Sequence, residues 1–258
     1  MNRQSRLAET RNVLLKNKQI SVDDLCRRFH ASSVTIRKDL TFLEEENFLI
    51  RTHGGAVLKE ADGTAAGGGG IDPSSEDERG RKIRALAEVA ADYTVNNTWI
   101  YLSTGSTCYE IARMMTGRKL NVVTSSLTTG TLLASMNTIS VLMPGGNVAY
   151  DANGAFLAGD WFRKGLDDLH LDQAFISVSG IDFTTGYTIG NPLELLNIKK
   201  LKEVSRETII VADSTKFGAH GFLTAEPLDS IDTIITNSDI PREYLDYYDA
   251  HGIRVLTD

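Results

Sequence analysis

Cysteine is nearly absent. Cys26 and Cys108 are the only two, they lie far apart, and no CxxC spacing occurs. A disulfide framework and a cysteine-based zinc finger are thereby excluded, and a reducing cytoplasm becomes the expected compartment. Long apolar runs are missing as well. No stretch approaches the roughly 18 consecutive apolar residues of a membrane span, so no membrane partner is expected. The N-terminal stretch Met-Asn-Arg-Gln-Ser-Arg-Leu-Ala-Glu-Thr-Arg-Asn is polar and lacks an apolar core, so no secretory leader is expected. The histidines, His30, His53, His170, His220 and His251, are scattered without the His-Glu-x-x-His spacing of a metal site, so neither a metal nor a cofactor is expected. No internal repeat is visible.

Charge is present in both signs but unevenly. The chain carries 27 Lys+Arg and 34 Asp+Glu, a net −7. Residues 1–60 hold 11 of the basic and 8 of the acidic residues, which leaves 16 and 26 for residues 61–258. A small basic module is joined to a larger acidic one, and the average charge hides both. The join is Ala61-Asp-Gly-Thr-Ala-Ala-Gly-Gly-Gly-Gly70, continued by Asp72-Pro-Ser-Ser-Glu-Asp-Glu78. So little apolar surface cannot offset the entropy of ordering a backbone, so this stretch reads as a flexible linker. Its glycines are not followed by Gly-Lys-Ser/Thr and no strand precedes them, so they are not read as a phosphate loop. The predicted division is 3–58, a linker over 59–78, and 79–258.

Beyond the linker, short apolar runs alternate with helix-length segments. Strands are predicted at Trp99–Ser103, Asn121–Ser125, Ser140–Pro144, Ala174–Gly180, Thr208–Asp213, Thr233–Thr236 and Arg254–Thr257. Amphipathic segments fall near 82–93, 106–116, 127–136, 156–168, 192–206 and 241–250. This alternation predicts an α/β domain with a parallel sheet covered on both faces. The strand ends are small and polar: Leu102-Ser-Thr-Gly-Ser-Thr107, Thr124-Ser-Ser126, Pro144-Gly-Gly-Asn147, Ser177-Val-Ser-Gly-Ile-Asp182 and Ala212-Asp-Ser-Thr-Lys-Phe-Gly218. In an open parallel sheet such ends gather at one crevice, where ligands bind. Thr104, Gly105, Ser106 and Thr107 open a helix, whose free N–H groups and dipole favour an anion. Ser125, Gly145, Gly146, Gly180, Asp213 and Lys216 are the further candidates for this ligand site. Taken alone, each is equally an ordinary cap, turn or surface residue.

Residues 1–60 predict three helices and a hairpin. The first runs from about Arg3 to Lys16. Ser21 caps the second, with Asp24 three residues on. The third begins at Ser32 or Ser33, and Ile36, Leu40 and Leu43 mark its buried face. Ser33, Thr35, Arg37, Lys38 and Thr41 project from its first half, whereas Glu44, Glu45 and Glu46 sit at the far end. Hydroxyls and cations at the N-terminal turns suit base edges and phosphates in a major groove. The short turn His30-Ala-Ser32 has helix-turn-helix length. Leu49-Ile-Arg-Thr-His-Gly-Gly-Ala-Val-Leu58 reads as a hairpin about a Gly-Gly turn, with Arg51 and His53 on one strand. These seven polar residues are the candidate DNA-contacting set. The alternative is a small three-helix cap whose charges are merely solvated.

Thr35-Ile-Arg-Lys-Asp-Leu40, Leu43-Glu44 and Arg51-Thr-His-Gly-Gly-Ala56 resemble the N-terminal signature of the DeoR family of bacterial sugar-metabolism regulators, over nearly all of residues 3–58. That resemblance implies a winged helix-turn-helix whose third helix enters the major groove. Residues 76–258 resemble the family's effector domain, Rossmann-like and similar in fold to ribose-5-phosphate isomerase and glucosamine-6-phosphate deaminase. The Thr104-Gly-Ser-Thr107 turn is similar to the phosphate loop of those enzymes. The resemblance implies a regulator, usually a repressor, whose operator affinity is set by a phosphorylated sugar or related metabolite.

Four positions depart from the family pattern. An acid commonly precedes the phosphate loop, where this chain has Ser103. Thr-Asn-Ser appears here as Thr124-Ser125-Ser126. A basic residue usually follows the Gly-Gly pair, where this chain runs Asn147-Val-Ala-Tyr150. Asp-Gly-Ile-Asp appears as Ser179-Gly180-Ile181-Asp182. An atypical anionic sugar derivative is therefore the expected effector.

An isomerase or deaminase is the rival, with Asp182 and Asp213 as candidate bases, but no second positioned acid and no basic cluster accompany them. An architectural DNA-binding protein is disfavoured by the acidic larger module, which would repel DNA. No catalytic residue is therefore expected. One winged module neutralises few phosphates, so a homodimer or tetramer on a double-stranded repeat or palindrome is expected.

Overall fold

The structure, a computed structural model, describes residues 3–17, 19–45, 49–52, 54–58, 78–151 and 153–258. They fall into two compact units divided at residue 63. The expected linker lies outside the described residues except for Glu78, which opens a helix.

The smaller unit runs α1 (Arg3–Asn17), β1 (Gln19–Ser21), α2 (Val22–Phe29), α3 (Ser33–Glu45), β2 (Leu49–Thr52) and β3 (Gly55–Leu58). Ser21 takes extended backbone and its Oγ accepts the Asp24 N–H at 3.0 Å, which fixes the start of α2. The helix stops where His30 enters the left-handed region at φ 49°. Two residues later the Ser32 Oγ accepts the Thr35 N–H at 3.2 Å and starts α3. Leu14, Leu25, Phe29, Ile36, Leu40, Leu43, Leu49 and Ala56 close one core between the three helices and the hairpin. The sheet has three strands, not two, in the order β1-β3-β2. Gly54 lies in the hairpin turn, whereas Gly55 opens β3. A Cβ at Gly55 would stand 2.1 Å from the Ile20 carbonyl oxygen, so β1 can pair there only against glycine.

The larger unit runs α4 (Glu78–Tyr93), β4 (Trp99–Leu102), α5 (Ser106–Met114), β5 (Leu120–Thr124), α6 (Leu127–Ala134), β6 (Ile139–Leu142), β7 (Asn147–Asp151), β8 (Gly154–Ala158), α7 (Asp160–Lys164) and β9 (Leu171–Ser177). It continues with β10 (Gly180–Asp182), β11 (Gly186–Ile189), α8 (Pro192–Val204), β12 (Ser205–Val211), β13 (Leu223–Glu226), β14 (Thr233–Thr236), α9 (Arg242–Ala250) and β15 (Arg254–Thr257). Seven of these strands form one parallel sheet, in the order β15-β14-β12-β9-β4-β5-β6. All seven correspond to segments expected from the sequence. Alternate residues go to opposite faces. Tyr101, Ala174, Ile176, Ile210 and Ile234 join one core, while Ile100, Leu102, Phe175, Ile209, Val211 and Ile235 join the other. A strand buried on both sides has no polar face to show, hence the unbroken apolar runs.

One sequence expectation fails here, and one sheet was not foreseen. The helix expected near 156–168 is instead the strand β8 followed by the short helix α7. Gly154 and Gly159, at φ 110° and 90°, break the chain into separate elements, and β8 pairs antiparallel with β7. A second small sheet, β10-β11-β13, was not anticipated. Gly180 belongs to it, and a Cβ there would stand 2.2 Å from the Ala219 carbonyl oxygen.

The strand order also locates a crevice. From β4 the chain steps outward through β5 and β6, then returns to β9 on the other side of β4 and proceeds to β12, β14 and β15. The direction of winding reverses between β4 and β9. At such a switch point the loops leaving the two carboxyl ends diverge and open a space.

Candidate nucleic-acid interface and anion cleft

On the smaller unit, α3 turns Ser33, Arg37 and Lys38 outward, all exposed. Ser33, Arg37 and Thr41 recur every four residues and so form one row along the helix. Asp39, on the opposite side, is buried and accepts from Arg6 Nε at 2.8 Å, so α1 fixes the rotation of α3 that presents this row. Thr35 is half-buried and its hydroxyl lies 2.9 Å from that of Ser32, so it serves the helix start as well as the surface. Thr41 and Arg51 are brought together. The Arg51 guanidinium donates to Thr41 Oγ1 at 3.0 Å, and Thr41 donates in turn to the Arg37 carbonyl at 2.9 Å. The Arg51 N–H donates to Glu44 at 3.1 Å, so this acid anchors the wing strand to the helix. His53 lies outside the described residues. Sequence reasoning missed Val34, which is 62% exposed at the N-terminal turn of α3. A lone apolar residue between hydroxyls and cations is suited to a thymine methyl.

On the larger unit, the Thr104–Thr107 turn lies at the switch point. Gly105 has φ 108°, and no side chain caps α5, so its first N–H groups are open to a ligand. A Cβ at Gly105 would sit 3.3 Å from Ser177 Oγ, at the end of β9. Ser103, where the resemblance leads one to expect an acid, accepts the Ser177 N–H at 2.9 Å and so stitches β4 to β9. Thr104 and Ser125 line one narrow cleft with Tyr101, Ser103, Ser177, Glu194 and Asn197. Ser125 is held 3.1 Å from the Tyr101 hydroxyl. Glu194 accepts a hydrogen bond from the Thr104 hydroxyl. Burial pushes its carboxyl up to about 7, against the lowering effect of Thr104.

Asp213 and Lys216 form a second group, joined by Arg79 of α4. Asp213 is buried and caps the 3-10 turn Ser214–Lys216 by accepting the Thr215 N–H at 3.1 Å. Its Oδ2 and the Arg79 Nε lie 3.6 Å apart, and neither has a hydrogen-bond partner among the described residues. Burial holds the Lys216 ammonium below its ordinary range, helped by Arg79 and opposed by Asp213. Two cations thus share one carboxylate at the end of β12, an arrangement with unspent positive charge.

Three candidate glycines have local structural reasons. Gly180 makes room for Ala219, and a Cβ at Gly146 would meet the Ala158 carbonyl oxygen at 2.8 Å. Gly145 needs its glycine for backbone freedom, at φ 89°. Asp182, named as a possible base, accepts the Thr184 and Thr185 N–H groups at 2.8 and 3.2 Å, which hold its carboxyl below the ordinary range. It is a turn former. Among the described residues no cluster suited to a metal ion occurs, and no helix is long and apolar enough to cross a membrane.

The chain matches two family models. One, described as a DeoR-like helix-turn-helix domain, matches residues 6–62; the other, a DeoR C terminal sensor domain, matches residues 79–238. Similar curated proteins include the uncharacterized HTH-type transcriptional regulator YulB of Bacillus subtilis (strain 168), 30% identical over 92% of this chain and 89% of that one. The HTH-type transcriptional repressor GlcR of the same organism is 26% identical over 99% and 96%. Among solved structures, ribose 5-phosphate isomerase A from Neisseria gonorrhoeae is 20% identical over 52% of each chain, with a TM-score of 0.37, a likeness too slight to bear on this chain.

Proposed function

The chain belongs to the DeoR family of transcriptional regulators, and from that premise we propose that it represses a carbohydrate-metabolism operon under the control of a phosphorylated sugar or a related anionic metabolite. The observation that carries the DNA half is the exposure of Ser33, Arg37 and Lys38 on one side of α3, whose rotation the Arg6–Asp39 bond fixes. In this reading α3 enters the major groove, the wing follows the phosphate backbone, and Arg51 steadies the two against each other.

The effector half rests on the uncapped start of α5 at the switch point and on the Arg79–Lys216 pair. Thr104, Ser106 and Thr107 donate to the anion, Ser125 faces its uncharged part, and the two cations answer its charge. Gly145, Gly146 and Gly180 shape the neighbouring loops. No catalytic role is assigned, because Asp182 and Asp213 are both committed to turns. The larger unit also carries self-association, so that two modules engage a palindrome or repeat in a homodimer or tetramer. Effector binding changes operator affinity by the difference in its affinity for the two states.

The test is retardation of promoter fragments from the chain's own chromosome, with and without a panel of sugar phosphates. Loss of retardation with one member of the panel supports the reading. No retardation of any fragment would remove it, and turnover of ribose 5-phosphate or glucosamine 6-phosphate would replace it with an enzyme.

A further inference from the structure

The effector reading asks the Thr104 hydroxyl to meet an anion, yet that hydroxyl already donates to Glu194. The acid is placed there by the start of α8. Asn191 Oδ1 accepts the Leu193 N–H at 3.0 Å and Pro192 occupies the first turn, which turns Glu194 toward the cleft it helps to line. The charged side chain bearing on it is another acid, Asp151 of β7, and among the described residues no cation is found to offset the two. A carboxylate at this point takes the donor that a phosphate would need and repels the phosphate as well.

We propose that Glu194 is a specificity-determining residue, an internal competitor that holds Thr104 in the empty cleft and gives it up to a doubly charged anion only as a neutral carboxylic acid. It rests on the reading that the Thr104–Thr107 turn binds an anion. The proton comes from solvent, so binding of the anion and uptake of the proton are one coupled event. A carboxyl that titrates near 7 in the empty cleft and is held protonated in the filled one weakens binding about tenfold between about pH 6 and about pH 8. The other groups packed around Glu194 do not compete for this role. Tyr101 and Cys108, from β4 and α5, are both pushed upward by burial, the thiol to about 11, and stay neutral throughout. Of the two cations that the reading sets against the anion, Arg79 and Lys216, it is Lys216 whose ammonium burial lowers, and its loss of a proton would act in the same direction.

The experiment separates these contributions with inorganic sulfate, a dianion whose own charge is constant over this range. Saturable stabilisation of the full chain by sulfate, at fixed ionic strength, is measured by thermal unfolding at the two pH values for the wild type and for Glu194→Gln. The expected result is about a tenfold weaker wild-type affinity at the higher pH, and an affinity in Glu194→Gln that is nearly independent of pH and at least as tight as the best wild-type value. Sulfate binding to both proteins with the same pH slope would overturn the proposal, leave the anion site standing, and assign the slope to Lys216. Binding to the wild type without any slope would overturn it likewise. No saturable effect on either protein would remove the anion site and this proposal with it.

Discussion

Arg6 Nε donates to Asp39 Oδ2 at 2.8 Å, with side chains only 13% and 5% exposed, and this bond ties α1 to the face of α3 away from its cationic row. Asp39→Ala would remove the carboxylate that holds the Arg6 guanidinium against α3. Breaking one side of a buried pair costs about 3 to 5 kcal/mol. The expected outcome is a large fall in the unfolding midpoint of the smaller unit, together with loss of DNA retardation. A variant that kept full stability would show that water or another acceptor takes the Arg6 guanidinium, and that Arg3, also 3.5 Å from Asp39, loses nothing that matters either.

Arg37→Ala and Lys38→Ala should behave differently from Asp39→Ala, because both side chains are exposed and neither supports the core. Each should leave the unfolding midpoint almost unchanged and weaken DNA binding. If Arg37 reads a base edge, its loss costs about 1 to 3 kcal/mol on the operator and little on random DNA. If Lys38 touches phosphate, its loss weakens all sequences alike and lowers the salt slope by about 1. Binding curves on the operator and on a scrambled duplex, at two salt concentrations, check both.

The legibility of the sequence followed the length scale of each signal. The central sheet was readable because Ile209–Val211 and Ala174–Ile176 send neighbours into opposite cores, leaving runs without polar interruption. The β7–β8 hairpin was not. Val148 and Tyr150 are apolar and exposed, so its alternation does not distinguish a buried face. The exposed positions of Ser33, Arg37 and Lys38 and the start of α5 were legible because each lies in one local motif. Arg79 and Glu194 were not, since they reach Asp213 and Thr104 only through the fold, and no spacing records such a meeting.

Acid should loosen the larger unit through Glu207 of β12. Burial alone would raise its carboxyl. Hydrogen bonds from Gln173 at 3.0 Å, from Thr233 at 2.7 Å and from Tyr93 at 2.7 Å win, and its value is lowered. A group depressed in the folded state contributes stability above its unfolded value and loses it as pH falls through the folded one, so the loss sets in below about pH 4.5. Glu207→Gln puts an amide nitrogen against a donor and should cost about 1 to 3 kcal/mol at neutral pH. The variant should also show a shallower decline on acidification. Urea unfolding at several pH values tests the sign, and an unchanged slope would assign the acid sensitivity elsewhere.

The cations at the end of β12 carry the sharpest trade-off. Lys216 is half-buried, and its lowered value means that folding disfavours its charge, first through burial and then through Arg79. A group in that condition stabilises nothing by being charged, so a long apolar replacement fits the same space without the electrostatic cost. Lys216→Met should therefore be at least as stable as the wild type. If Lys216 answers the charge of the effector, the same change should weaken binding of the inducing sugar phosphate about tenfold or more. Arg79→Gln should weaken binding too, but it removes the repulsion on Lys216 and so raises that ammonium toward its ordinary range. Thermal unfolding without ligand and titration with the inducing sugar phosphate separate the outcomes. A Lys216→Met variant that loses stability but keeps its affinity would place the lysine in the architecture and leave the anion to α5 alone.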